Sequence, residues 1–344
     1  MNEMRIVILG KTGVGKSSLA NTILGEDVFQ IGFNGVSATS ECQSETRRVD
    51  GRDVTLIDTL GVFDTGRSEE ELKPAIVKCI TECSPGPHAF IIVFKVEAFT
   101  DQEQDVINKI NQFFSEEAFK YATVLFTRGD QLKEGQTIEE YFHNNHLVSD
   151  LIKKCGGRCH VIDNKYWKNN QPYEYRCNQF QVKQLMKTID HMIEENKGSC
   201  FTNEMLQAAE ALIQEEEEKI RQSSGNMTER EIRYEAKRRV NKRLLIQLAG
   251  VTTGALLGAL FGVVVVVGGP AAGIAAGVVI GAGALVGAIT GGLRRYDATE
   301  KVDAQCKALK RAANTVFNKA TSVFKDHEKA HNTYESIPLM CPDF

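Results

Sequence analysis

Net charge is scarce: 41 Lys and Arg stand against 45 Asp and Glu, leaving −4 over 344 residues. That balance gives no reason to expect nucleic acid as a main partner. The N-terminus lacks a basic stretch followed by an apolar core and small residues, because its first apolar run, 4–9, is short and strand-like. Neither a cleaved secretory signal nor an oxidising compartment is expected. No C-x-x-C pair occurs among the nine cysteines, an odd number at irregular spacings. Reduced thiols are the expectation. His143, His146, Cys155, Cys159 and His160 cluster in sequence but lack the paired spacing of a structural zinc site. Asn226-Met227-Thr228 matches a glycosylation acceptor, which carries no meaning in the cytosol. With 42% apolar and 25% charged residues the composition is globular, and extensive disorder is not expected.

One long stretch lacks charge altogether. From Leu244 to Leu293 there is no Asp, Glu, Lys or Arg, while thirteen glycines and one proline interrupt the run. The remainder falls into two styles. Over the first 200 residues, apolar runs at 4–10, 54–59, 89–96, 122–127 and 159–163 alternate with helical patterns. That alternation predicts βαβ units and a mostly parallel sheet covered on both faces. From about Phe201, two long helical patterns follow, 203–222 and 228–245, separated by Ser-Ser-Gly-Asn and carrying acidic and then basic faces. After the uncharged run, 294–330 returns to an amphipathic helical pattern.

Chemistry enters at Gly10-Lys11-Thr12-Gly13-Val14-Gly15-Lys16-Ser17, a complete G-x-x-x-x-G-K-S between an apolar strand and a helical stretch that opens with Ser17-Ser18. That context is the one a phosphate-binding loop requires. Glycines let backbone N–H groups approach the phosphates, and the helix N-terminus adds favourable partial charge. Lys16 is placed for the β- and γ-phosphates and the Ser17 hydroxyl for Mg²⁺. Asp58-Thr59-Leu60-Gly61 closes the apolar run that begins at Val54 and gives D-x-x-G: Asp58 can hold Mg²⁺ through water, and the Gly61 N–H can sense the γ-phosphate. Thr39, between Ser37 and Ser40 in a loop-like stretch, is the candidate second hydroxyl on Mg²⁺.

Base identity points to guanine. Thr127-Arg128-Gly129-Asp130 follows the run at 122–127, where GTPases place N/T-K-x-D. A carboxylate at Asp130 accepts from guanine N1–H and the 2-amino group, a pairing adenine lacks, and an unpaired buried carboxylate rejects ATP. The Arg128 stem can pack on the base plane. Asn164, at the end of the run at 159–163, can contact guanine O6 or orient Asp130, and is equally a plain turn residue. After Gly61 comes Val62, where many small GTPases carry a glutamine that orients the attacking water. Valine cannot do so.

On these motifs, and above all on 86–104 ("GPHAFIIVFKVEAFTDQEQ"), the chain resembles the GIMAP family of immunity-associated GTP-binding proteins, related to the septin and dynamin-like branch. The resemblance covers residues 4 to about 205, with "NTILG" after the P-loop, "SATSEC" around Thr39, "LFTRGDQL", the Asn164-Lys165 pair and "GSCFTNEML" at 198–206. It implies binding of GTP and GDP with Mg²⁺, and self-association through the nucleotide face, often on intracellular membranes. In some members an arginine in the 86–104 box is thought to act across a dimer as a finger. Here the matching position is Ala98, within Glu97-Ala98-Phe99-Thr100. A trans arginine is worth about 10³–10⁵ in rate in other GTPases, so its absence implies slow hydrolysis. Lys95 and Arg67 are possible substitutes. In purely physical terms, Thr100-x-x-Glu103 is a capping box that starts a helix.

Within the uncharged run, glycines 254, 258 and 262, then 273, 277 and 281, then 283, 287 and 291, recur every four residues and so share helix faces. Gly268-Gly269-Pro270 breaks the run into halves of about 35 Å as helices, against about 30 Å of hydrocarbon in a bilayer. Lys237, Arg238, Arg239, Lys242 and Arg243 precede it, and Arg294 and Arg295 follow. Basic flanks at both ends predict an even number of crossings, hence a hairpin. A helical pair buried in a soluble bundle is the other reading. Cys341 in the terminal C-P-D-F is read as part of an ordinary tail, since Pro342 and Asp343 are poor matches to a prenylation signal.

The expected fold is thus α/β: a P-loop GTPase with a mostly parallel sheet flanked by helices, followed by an all-α C-terminal region with a Gly-rich hydrophobic hairpin. Its expected parts are a GTPase domain (1–200), an amphipathic helical stalk (201–243), a hydrophobic hairpin (244–293) and an amphipathic tail (294–344). The expected site is Gly10 to Ser18, Thr39, Asp58, Gly61, Thr127, Arg128, Asp130 and Asn164, with Mg²⁺ on Ser17, Thr39 and, through water, Asp58. The expected location is the cytoplasmic face of an intracellular membrane, or the cytosol. Two functions stay open: an enzyme cycling by slow GTP hydrolysis, or a nucleotide-stabilised membrane scaffold that hydrolyses little.

Overall fold

Three adjacent strands set the architecture because their sequences are apolar on both faces. A computed structural model of the protein describes residues 3–31, 42–59, 62–63, 69–169, 174–223 and 225–247. In it β1 (Glu3–Leu9), β4 (Ala89–Lys95) and β5 (Ala122–Thr127) lie side by side and parallel. β4 is buried along all but its last residue, and β5 along its whole length. A strand covered by helices on both faces reads as a near-continuous apolar run, as in Ile6–Leu9 of β1 and Ala89–Phe94 of β4. β3 (Arg52–Asp58) and β6 (Cys159–Val161) extend the parallel sheet on either side. The full order is β2-β3-β1-β4-β5-β6. This is the mostly parallel sheet, covered on both faces, that the alternating sequence predicts, with one antiparallel strand at its edge.

The one strand absent from the apolar pattern is β2 (Gln43–Val49), whose sequence, QSETRRV, is polar through its first six residues. It pairs antiparallel with β3 at the sheet edge, where no face has to be dry. Asp50 and Gly51 both adopt positive φ, 48° and 81°, giving the two-residue turn that fits the twist of a hairpin.

Helices cover both faces. α1 (Lys16–Leu24) and α6 (Asn178–Glu195) lie on one side, where Leu19, Ile23, Leu185, Ile189 and Met192 join Ile6, Ile8, Leu56 and Ile91 in a continuous core. α2 (Glu69–Cys83), α3 (Asp101–Phe114), α4 (Ile138–Tyr141) and α5 (His146–Lys154) complete the GTPase body. α3 begins as its capping box predicts, with the Glu103 carboxylate accepting from the Thr100 backbone N–H at 3.0 Å.

The two helices read at 203–222 and 228–245 are α7 (Glu204–Ser223) and α8 (Glu229–Gln247). They pair with each other and turn back on α2 instead of projecting away from it. Ile213, Ile220, Ile232, Ala236 and Val240 form the dry seam. At its rim Arg233 reaches Glu210 and Glu217, each at 2.8 Å, and donates to the Ser84 carbonyl at 3.1 Å. Lys237 donates to the Glu82 carbonyl at 2.9 Å. The chain divides into compact units at 1–253 and 254–344, and the second lies outside the described residues. Among the described residues no helix is long and apolar enough to cross a membrane. The expected hairpin at 244–293 lies outside them beyond Gln247.

Candidate nucleotide site

The P-loop sits where β1 ends and α1 begins, and its geometry follows from what each residue can tolerate. Gly15, at φ 97°, precedes the first turn of α1, and a Cβ there would lie 2.6 Å from the Asn164 amide nitrogen. Only glycine serves both the backbone angle and that close approach. Lys16 is 2% exposed and its ammonium donates to the Gly10 carbonyl at 2.7 Å and the Lys11 carbonyl at 3.1 Å. The loop therefore curls around the lysine head. The side chain of Lys11 points elsewhere, forming an ion pair with Glu103 of α3 and a 3.2 Å hydrogen bond to Gln102. Of Lys11, only its backbone faces the loop.

β3 delivers Asp58 to the same place. Ser17 donates its hydroxyl hydrogen to Asp58 Oδ2 at 2.6 Å, and Asp58 is fully buried. Burial raises its carboxyl above the ordinary carboxylate range, against the opposing pull of the Lys16 charge and the Ser17 hydroxyl. Its second oxygen, Oδ1, is buried with no hydrogen-bond partner. A dry carboxylate oxygen beside a serine hydroxyl is a hard, all-oxygen donor set, which fits Mg²⁺ or a water bound to it. Thr39 and Gly61, the other two expected members of this cluster, lie outside the described residues.

The loops expected at the guanine meet at the ends of β5 and β6. Thr127 is buried and donates to the Val14 carbonyl of the P-loop at 2.7 Å and to the Phe94 carbonyl at 3.2 Å. Its hydroxyl is thus a brace between loop and sheet. Arg128 adopts a left-handed conformation, φ 62° and ψ 47°, and lies 3.8 Å from Glu97. Asp130 follows in a short 3-10 turn, and its Oδ2 accepts from Gln131 at 2.6 Å. Asn164 approaches Gly15 from the opposite loop, with its Oδ1 buried and unpartnered. A cleft of about 760 Å³ opens beside Ser18 and Asn164 and runs on between α1 and α6.

Residues that no motif flagged hold this region in place. Asp163, 2% exposed, accepts from the backbone N–H of Asp130 at 3.2 Å and of Lys165 at 2.8 Å. Asn178 grips the Asp163 peptide from α6, accepting from its N–H at 3.1 Å and donating to its carbonyl at 2.7 Å. The Trp167 ring seats on Gly129 so closely that a Cβ there would come within 2.4 Å of it. The signal available in sequence was the lone tryptophan and the Asp before Asn164-Lys165; neither has a spacing rule attached.

Val62 and Phe63 are buried, at 4% and 0% exposure, so residue 62 belongs to the core. Ala98 is exposed beyond the end of β4, Lys95 is half-buried on the strand end, and Arg67 lies outside the described residues. Among the described residues no group of three or more His, Cys, Asp or Glu is arranged to hold a metal ion. The described cysteines are free thiols.

Comparison with known proteins adds relatives of one kind. The chain is 30% identical over 220 residues to immune-associated nucleotide-binding protein 9 of Arabidopsis thaliana, covering 63% of this chain and 61% of that one. It is 33% identical over 194 residues to GTPase IMAP family member 8 of Mus musculus, covering 55% of this chain and 27% of that protein. The chain thus spans only part of the length of these relatives. Among solved structures, Arabidopsis thaliana Toc33 in complex with GDP and Mg²⁺ matches at 21% identity and a TM-score of 0.45, over 57% of this chain and 86% of that one. The AIG1 family model matches residues 4–223, spanning the P-loop, every strand of the sheet and α7, and the chain belongs to the AIG1 family.

Proposed function

We propose that the protein binds GTP and GDP with Mg²⁺ and hydrolyses GTP slowly, assembling through its nucleotide face on an intracellular membrane. The observation that carries the nucleotide reading is the pairing of Ser17 with a buried Asp58 whose Oδ1 has no hydrogen-bond partner, next to Lys16 curled inside its loop. In this reading Mg²⁺ neutralises charge on the β- and γ-phosphates. Ser17 and Thr39 would hold it directly and Asp58 through water, while the N–H groups from Gly10 to Ser18 and the Lys16 ammonium would hold the phosphates. Gly61 senses the γ-phosphate. Asp130 reads the guanine edge, flanked by Arg128, Thr127 and Asn164. Relatives named as nucleotide-binding proteins and as a GTPase support the assignment.

A second reading, a nucleotide-stabilised scaffold with negligible hydrolysis, is favoured by two positions. Val62 is buried and offers no polar group to water, and Ala98 stands at the finger position. In both readings 1–200 is the GTPase domain, 201–243 connects it to the membrane, 244–293 is the anchoring hairpin and 294–344 is a helical tail. Titration with GTP, GDP and ATP tests the first claim: GTP and GDP bind far more tightly than ATP, and Lys16→Ala abolishes triphosphate binding. Equal competition by ATP overturns it. Single-turnover hydrolysis across a range of protein concentrations separates the enzyme from the scaffold.

A further inference from the structure

We infer that Asp163 is the positioning residue for guanine selectivity: its carboxylate joins the Asp130 turn to the 164–166 turn so that both reach the base together. The inference rests on the reading of Asp130 as the guanine contact and extends it to a residue that never touches the nucleotide. Three features place Asp163 in that role. It is almost fully buried behind the base-facing loops, and its two oxygens are divided between them. Oδ2 accepts from the Asp130 N–H, the backbone of the selecting residue itself. Oδ1 accepts from the N–H groups of Lys165 and Tyr166, turning the chain so that Asn164 meets Gly15.

The anchor behind it is rigid. Asn178, in the first turn of α6, holds Asp163 on both its N–H and its carbonyl, and Gly129 N–H donates to the Ile162 carbonyl at 2.9 Å. The two turns therefore share one carboxylate, and that carboxylate is fixed to the body of the domain. Burial disfavours its charge, but the Tyr166 amide and its other donors outweigh this and hold the carboxyl below its ordinary range. The backbone N–H groups of Asp130, Lys165 and Tyr166 all donate to it, so acceptor oxygens are what these three groups require.

Asparagine separates the two halves of the role. In Asp163→Asn, one carbonyl oxygen can still serve the Lys165 and Tyr166 amides, while the amide NH₂ then faces the Asp130 N–H, donor against donor. The opposite flip forfeits two bonds to keep one. The variant thus keeps the 164–166 turn and releases Asp130. The experiment compares GDP with inosine diphosphate, which lacks the 2-amino group that pairs with Asp130. Losing a hydrogen bond to a charged acceptor corresponds to roughly tenfold or more in affinity, and Asp163→Asn is expected to weaken GDP by about that factor. The GDP-to-IDP ratio falls towards that of Asp130→Ala, and the double variant adds nothing further.

Asn178→Ala, which frees the Asp163 peptide from α6, moves the ratio in the same direction by a smaller factor and serves if Asp163→Asn fails to fold. An unchanged ratio, or losses on Asp130 and Asp163 that simply add, overturns the inference. A merely structural role lowers the melting temperature and both affinities alike without moving the ratio. Asp130→Asn, which should exchange guanine for xanthine preference, tests the underlying reading. If it leaves base preference unchanged, the guanine assignment fails and this inference fails with it.

Discussion

In the proposed function, single side chains decide how fast the site turns over. Nothing at position 62 can orient water, and position 98 carries a methyl group where a trans-acting arginine is worth orders of magnitude. Ala98 is exposed, so an arginine there has room to reach a second molecule. Ala98→Arg is expected to raise turnover about tenfold or more at high protein concentration, and to leave the dilute rate unchanged. If the wild-type chain already shows fast turnover with second-order dependence, another group supplies the finger. Two buried histidines contribute to the response to acid. His88 accepts from the Arg5 N–H through Nδ1, and burial, aided by the Arg5 charge, lowers its pKa to about 4. Burial alone lowers His160 to about 4. Both are depressed from an ordinary 6.5, so their stabilising effect is complete above that value and is lost as pH falls towards 4. Each is worth about 3 kcal/mol across that window. Urea denaturation from pH 7 to pH 4 should show a steep loss of stability, and His160→Gln should flatten it.

Elements show how far sequence patterns reach and where they stop. The strands buried on both faces could be read directly, because a helix-covered strand favours an unbroken run of apolar side chains, with only an occasional buried threonine such as Thr123 or Thr127. β2 could not be read that way, since an edge strand owes nothing to periodicity; its only mark was Asp50-Gly51, a hairpin turn without alternating apolar flanks. The site divides the same way. Lys16, Ser17 and Asp58 occupy fixed offsets from strand ends, so motif spacing located them. Asp163 and Asn178 act through backbone groups of their neighbours, and no spacing encodes that. Asn21 is a third case of this kind. From the middle of α1 its side chain donates to the Phe29 carbonyl at 3.0 Å and accepts from the Val28 and Phe29 N–H groups at 3.1 and 2.8 Å. It is 6% exposed. Asn21→Ala strands buried partners and is expected to lower stability by about 2–3 kcal/mol, measured by urea denaturation. A change under about 0.5 kcal/mol would show that water replaces the amide there.

For the whole molecule, the test is whether residues 244–293 hold the chain on a membrane. Transfer of uncharged segments out of water is favourable at about 25 cal/mol per Å² of apolar area, and the basic residues from Lys237 to Arg243 add about 1 kcal/mol each near an anionic surface. The expected result is resistance to alkaline extraction together with protease protection of the run. Gly258→Leu with Gly277→Leu should disturb helix pairing while insertion persists. Release as a monomer, with or without GTP, would mean that the run is a buried core pair. Confinement to a surface raises local concentration, and that makes the borders of the sheet matter. One border, β2, displays Glu45, Arg47 and Arg48, and the other, β6, is three residues long. Charge on one rim and brevity on the other discourage strand-to-strand growth between crowded copies. If the proposed anchor draws neighbours together on a bilayer, they are left to meet through helices and loops and not to zip into a continuous β-sheet.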